Sequence, residues 1–262
     1  MKIKDFNLFV EDLGNPDGEV IVFLNGVMAS TNSWYTIMKP FIDLGYRVIL
    51  HDFKGQLKSD KPDGPYTFFE HAEETIMILK NLKINQAHFI GTSYGGEVAM
   101  KIGFTFFEYV RSLVIIDSVS ETDQAMVNEI NHWIELCKKG DGYAFFWGMA
   151  KSIYGPKFMK ENKDFLERRA QATRQVDPSY LKGQITLYKT FNHDVNMTSH
   201  LKEITAPTLI ICGKDDILKP PKFSKIIKDE IKNSQLVLLE DCGHVAIFEK
   251  SDEIIELIKA WI

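Results

Sequence analysis

Three cysteines in 262 residues, Cys137, Cys212 and Cys242, are too few and too irregularly spaced for a disulfide framework or a cysteine-bound metal. They read as reduced thiols packed as small apolar side chains. No His-Glu-x-x-His or comparable cluster is present, so neither a metal nor a cofactor is expected. Long apolar runs are missing as well. Nothing approaches the roughly 20 residues that cross a bilayer, and Met1-Lys2-Ile3-Lys4-Asp5 lacks the apolar core of a signal peptide. No membrane span and a cytoplasmic location are the expectation. The net charge of −5 is mild, and no basic cluster carries interleaved aromatics, which argues against nucleic acid as a partner. Internal repeats and low-complexity tracts are absent, and nothing in the chain speaks to oligomeric state.

What the chain does have is alternation. Strand-like runs at Val20–Leu24, 46–50 and 87–90 are separated by helical patterns from about Ser33 and over 67–82. Such a sequence predicts an α/β fold with a mostly parallel sheet flanked by helices. After the apolar strand 113–116 the alternation stops, and the chain reads as mainly helical until about Ala206. It resumes with a buried strand over 207–212 and a strand-like run over 235–239. It closes on an amphipathic helix holding Ile254, Ile255, Ile258 and Trp261. The expected organisation is a core built from 1–119 and 206–262. A helical cap region with its connecting segments, 120–205, lies over the C-terminal edge of the sheet, where open α/β sheets bind ligands.

The most specific signal is Gly91-Thr92-Ser93-Tyr94-Gly95-Gly96, which follows a buried strand and precedes Val98, Ile102 and Phe106 at helical spacing. A Gly-x-Ser-x-Gly turn between strand and helix is a nucleophile elbow: the glycines permit a tight, strained turn that exposes the serine hydroxyl. Ser93 is the candidate nucleophile. A serine hydroxyl needs a base, and the base needs a carboxylate to hold its tautomer. In this architecture they follow in the order Ser, acid, His. His51, His71 and His88 precede the elbow. His132 lies on an amphipathic helical stretch, and His193 and His200 sit in polar segments without a preceding strand. His244 follows a strand and the turn-permitting Gly243, so it is the candidate base. For the acid, Asp215 and Asp216 compete after the strand over 207–212, and Asp117 at the end of the strand over 113–116 is a third possibility. Tyr94, directly after the nucleophile, offers its backbone N–H to an oxyanion.

These motifs resemble the α/β-hydrolase superfamily, of the capped single-domain serine hydrolase kind, over nearly the whole chain. The family's Gly-x-x-Asp-x-x-x-Pro pattern falls on Gly213, Asp216 and Pro220, which implies Asp216 as the acid. Its Gly-His falls on Gly243-His244. Its oxyanion loop falls on Asn25-Gly26-Val27-Met28, with asparagine for the usual histidine, which implies Val27 N–H as the second oxyanion donor. The family's Asp-x-x-Gly-x-Gly-x-Ser loop is matched in part by Asp52, Gly55 and Ser59, with Gln56 in place of the usual histidine and Leu57 in place of the second glycine.

The resemblance implies a serine hydrolase that cleaves a carboxylic ester, or a related lactone or thioester, through an acyl-enzyme. Serine at the elbow disfavours the dehalogenase and epoxide hydrolase branches, whose members use aspartate. Residues 25–33 also resemble hydroxyacyl transferases, and overall size and layout are similar to enol-lactonases. Two alternatives follow: an acyltransferase using a hydroxyacyl thioester, and a ligand-sensing signalling protein on the same fold. Aromatic residues of the helical stretch, among them Phe146, Trp147 and Tyr154, would suit an apolar ester or acyl substrate, or would seat the cap on the core. Arg168, Arg169 and Arg174 have the chemistry to bind a carboxylate or phosphate, but at helical positions they are read here as a solvated face.

Overall fold

A computed structural model describes residues 1–262. Two short strands, β1 (Lys2–Ile3) and β2 (Phe6–Asn7), form a hairpin ahead of the main sheet. That sheet comprises β3 (Val10–Gly14), β4 (Val20–Leu24), β5 (Arg47–His51), β6 (Ala87–Thr92), β7 (Val110–Ile116), β8 (Thr208–Gly213) and β9 (Ser234–Leu239). Its order is β3-β5-β4-β6-β7-β8-β9, with β3 antiparallel to β5 and every other pair parallel. The central strands are buried end to end, which is why they read as unbroken apolar runs rather than alternating ones. The expected α/β fold with a mostly parallel sheet is therefore observed. The three N-terminal strands went unread, because β1 and β2 are two residues each and β3, Val-Glu-Asp-Leu-Gly, is half exposed at the sheet edge.

Helices α1 (Tyr35–Asp43) and α11 (Ser251–Trp261) cover one face of the sheet, around a core that includes Phe23, Trp34, Phe41 and Ile258. Helices α2 (Phe68–Asn81) and α3 (Tyr94–Thr105) pack against each other on the other face. The start of α2 is set by a capping box: Thr67 accepts from Glu70 N while Glu70 reaches back to Thr67 N.

Between β7 and β8 no strand forms. Helices α4 (Gln124–Lys138), α5 (Gly142–Ile153), α6 (Pro156–Glu161), α7 (Lys163–Arg174) and α8 (Pro178–Asp194) follow one another instead. Aspartates at 123, 141 and 177 cap α4, α5 and α8, and Pro178 stands at the first turn of α8, where its missing N–H costs nothing. Helix α9 (Pro221–Glu230) fills the β8–β9 crossover, and the short α10 (Ala246–Glu249) precedes α11.

Chain growth reverses at β4: β5 is added on one side of it and β6 on the other. The loops leaving the C-terminal ends of β4 and β6 therefore diverge and leave a crevice, the place where open α/β sheets take ligands. Every residue of the site below lies around that crevice.

Candidate active site

Ser93 lies between β6 and α3 with φ 51° and ψ −119°, a conformation that side chains rarely adopt and that costs about 1–3 kcal/mol. The glycines make this turn possible. A Cβ on Gly91 would come within 2.2 Å of the Gly95 carbonyl oxygen, and one on Gly95 within 2.1 Å of the Leu24 oxygen. The strain is held from outside: Ser93 N–H donates to Ile116 O at 2.8 Å, and Ser118 Oγ donates to Ser93 O at 2.9 Å.

His244, on the loop after β9, places Nε2 2.9 Å from Ser93 Oγ and Nδ1 2.8 Å from Asp216 Oδ2. Asp216 is buried after β8, and its other oxygen accepts Leu218 N at 2.9 Å and Lys219 N at 2.8 Å. With Nδ1–H donated to the carboxylate, Nε2 is left as the acceptor that faces the serine hydroxyl. Ser93, His244 and Asp216, brought from three separate strand ends, thus form one hydrogen-bonded line.

The other acids stand elsewhere. Asp215 is exposed. Asp117 is buried with φ 48°, and it accepts Gly213 N at 2.9 Å and Ala246 N at 3.1 Å, tying the exit of β8 to the helix after His244. Burial, then the charge of Asp216, pushes its carboxyl well above the usual carboxylate range. Asp117, Cys212 and Asp216 come within 4.8 Å of one another, but the oxygens of both carboxylates already accept N–H groups. His132, His193 and His200 are exposed, and the three thiols are free and buried, with Cys137 pushed up to about 12 by burial.

Val27 and Tyr94 line the same cavity as Ser93. Tyr94 opens α3, where the helix dipole favours negative charge. The loop carrying Val27 approaches Ser93 so closely that a Cβ on Gly26 would lie 3.4 Å from Ser93 Cβ. Two buried amides fix it. Gln56 Nε2 donates to Gly26 O at 2.7 Å and to Val27 O at 3.2 Å. Its Oε1 accepts from Phe53 N at 2.9 Å and from Asn25 Nδ2 at 3.0 Å. Asn25 also donates to His51 O and Asp52, and accepts from Trp34 Nε1. Gln56 and Asn25, two of the three departures from the family pattern, thus bond to one another and to the loop carrying Val27.

Two residues next to Ser93 escaped the sequence reading. Lys219, 2% exposed, places Nζ 3.2 Å from Ser93 Oγ and 2.9 and 3.0 Å from the oxygens of Glu97. Glu97 is fully buried and also accepts Val119 N at 2.8 Å. Burial raises its carboxyl, and the Lys219 ammonium opposes that shift. A lone carboxylate amid the apolar stretch from Gly95 to Met100 was the available signal for Glu97. Lys219, three residues past Asp216, resembled any surface lysine.

Of the 22 residues lining the cavity, 16 are hydrophobic, drawn mainly from the Val27 loop, α4, α5, α8 and the segment after His244, with Tyr94 and Leu218 beside them. None is acidic. The two cations are Lys219 and Arg169, so the expectation that Arg169 sits on a solvated face is corrected: α7 turns it inward while Arg168 and Arg174 stay exposed. No helix is long and apolar enough to cross a membrane.

Known proteins share the fold of this chain. Residues 19–251 match the family described as alpha/beta hydrolase fold. A proline iminopeptidase of Lactobacillus crispatus is 25% identical, over 92% of this chain and 89% of its own. The crystal structure of MGS-M2, an alpha/beta hydrolase enzyme from a Medee basin deep-sea metagenome library, is 28% identical. It superposes with a TM-score of 0.93, over 99% of this chain and 95% of that one. The enol-lactonase of Burkholderia xenovorans LB400, 17% identical, shares the fold with a TM-score of 0.88, over 99% and 97% of the two chains.

Proposed function

The chain belongs to the α/β hydrolase family and is a hydrolase; from that membership we propose that it is a serine hydrolase cleaving a carboxylic ester, or a related lactone or thioester. The observation that carries the proposal is the unbroken line from Ser93 Oγ through the His244 ring to Asp216, with separations of 2.9 and 2.8 Å. Those are the hydrogen-bond distances that nucleophile, base and orienting acid require.

In the proposed cycle Ser93 Oγ attacks the substrate carbonyl carbon while its proton passes to His244 Nε2. Asp216 holds the Nδ1–H and stabilises the imidazolium. The carbonyl oxygen, now an anion, takes hydrogen bonds from the Val27 and Tyr94 N–H groups, donors whose loss typically costs about 10²–10³ in rate. Collapse breaks the carbon–oxygen bond (carbon–sulfur in a thioester), and the leaving group takes the proton back from His244. Water then repeats the sequence on the acyl-enzyme and frees the acid. Helices α4 to α8 act as the cap, and the apolar cavity under them takes a small organic acyl or alcohol group.

The cavity speaks against the proline iminopeptidase activity for which the Lactobacillus relative is named. A peptide N-terminus is a cation, and the cavity lining holds two cations and no carboxylate. The test is treatment with a fluorophosphonate followed by intact mass, alongside hydrolysis of p-nitrophenyl esters from acetate to decanoate. Ser93 should be labelled and the esters turned over repeatedly, and Ser93→Ala should lose both. Labelling without turnover would favour an acyltransferase or a sensor.

A further inference from the structure

The two cations of the cavity are not equivalent. Lys219 is neutralised by Glu97 within the protein. Arg169 is half-buried beside the Tyr154 side chain, has no carboxylate partner, and its Nε is buried without a hydrogen-bond partner. Its guanidinium lies over the ring of Phe248 at 4.6 Å and that of Phe165 at 5.7 Å, within cation–π range of both.

A guanidinium stays charged at any working pH, so it cannot escape this apolar setting by losing its proton. An uncompensated charge in such a site is expensive, and the expense is relieved when a counter-ion arrives. The planar fork of guanidinium N–H donors matches a carboxylate, which accepts two parallel hydrogen bonds from one guanidinium. A phosphate dianion would bring a second negative charge that nothing else in the lining is free to neutralise. Arg168 and Arg174 on the same helix differ: both are exposed, and Arg174 lies over the ring of Tyr143 at 4.3 Å.

We infer that Arg169 binds a carboxylate of the substrate, so that the ester cleaved by Ser93 carries a free carboxyl group at the far end of its acyl or alcohol half. The inference rests on the ester-cleaving reading for its placement, since Arg169 and Ser93 line one cavity.

The experiment pairs charged and neutral esters of matched length: mono-p-nitrophenyl succinate, glutarate and adipate against p-nitrophenyl butyrate, valerate and hexanoate. For the alcohol side, 4-carboxyphenyl acetate is set against phenyl acetate. In the wild type kcat/KM should favour the carboxylate member of at least one pair by tenfold or more. Arg169→Gln should collapse that ratio to near one, Arg169→Lys should keep part of it, and Arg169→Glu should reverse it. Independently of turnover, calorimetry on Ser93→Ala should show monomethyl adipate binding at least tenfold more tightly than methyl hexanoate, and Arg169→Gln in that background should remove the difference. Neutral esters cleaved with no preference for any carboxylate partner, or a preference that survives Arg169→Gln, would overturn the inference while leaving the ester-cleaving reading intact. Arg169-dependent binding without cleavage of any ester would do the reverse.

Discussion

Lys219 Nζ stands 3.2 Å from Ser93 Oγ, so the hydroxyl that faces His244 on one side is held on the other by an ammonium group. The ammonium is itself fixed by both oxygens of Glu97. Removing one member of a buried pair strands the other, at a cost of about 3–5 kcal/mol, whereas removing both is often close to neutral. Lys219→Met should therefore destabilise strongly in urea unfolding. Lys219→Met combined with Glu97→Gln should recover more than half of the loss. Additive losses would show that the two residues do not act as a pair. With Ser93 freed from one of its two anchors, the double variant should also lose kcat more than it gains in KM.

Assignment of the acid can be separated from structural support. Asp216→Asn should lower kcat by about 10⁴, because an amide at Nδ1 favours the wrong imidazole tautomer. Asp215→Asn, at an exposed position, should leave kcat unaltered. Steady-state hydrolysis of p-nitrophenyl acetate by the two variants decides the matter, and a larger loss at 215 than at 216 would reject the proposed line of residues.

Asp117 should show itself in the pH dependence of stability. Its carboxyl is raised in the folded chain by burial and by Asp216, so the folded state holds this proton more tightly than the unfolded state does. Stability from a raised carboxyl is fully present below the ordinary carboxylate value of about 4 and is lost as pH rises through the folded value. Asp117→Asn removes that titration and weakens one of the two backbone hydrogen bonds. Unfolding in urea should accordingly give a larger stability difference between wild type and variant at pH 5 than at pH 8. A difference that grows with pH would mean that Asp117 is ionised and stabilising.

Legibility in the sequence followed the range of the interaction. The elbow was readable because its glycines are demanded by contacts only a few residues away, Gly91 against Gly95. The alternation of central strands and helices was readable because strands buried on both faces are continuously apolar. His244 was readable from the strand and the turn glycine that precede it, whereas Asp216 needed the family pattern, since position alone left Asp215 and Asp117 as equally good acids. What stayed hidden was long-range and polar: Lys219 reaches Glu97 across 122 positions, and Arg169 owes its inward turn to how α7 packs beside Phe248. A charged residue on a helix looks the same in sequence whether it meets water or a cavity.

Gln56 offers the sharpest test of how the oxyanion loop is built. Its amide donates to Gly26 and Val27 carbonyls and accepts from Phe53 N and Asn25, so a single buried side chain orients the peptide proposed to supply one oxyanion donor. Gln56→Leu keeps much of the volume and deletes all four hydrogen bonds. Leaving buried donors and acceptors unpaired costs about 1–3 kcal/mol each, and freeing the loop misplaces the Val27 N–H. The expected outcome is a fall in kcat of about 10²–10³, the size of losing one oxyanion donor. KM should change far less, because the apolar lining is untouched. Gln56→His, which restores the residue usual at this position in the family, should recover part of kcat only if the loop can accept a ring. A Gln56→Leu enzyme with unaltered kcat would mean that the Val27 peptide takes no part in stabilising the oxyanion.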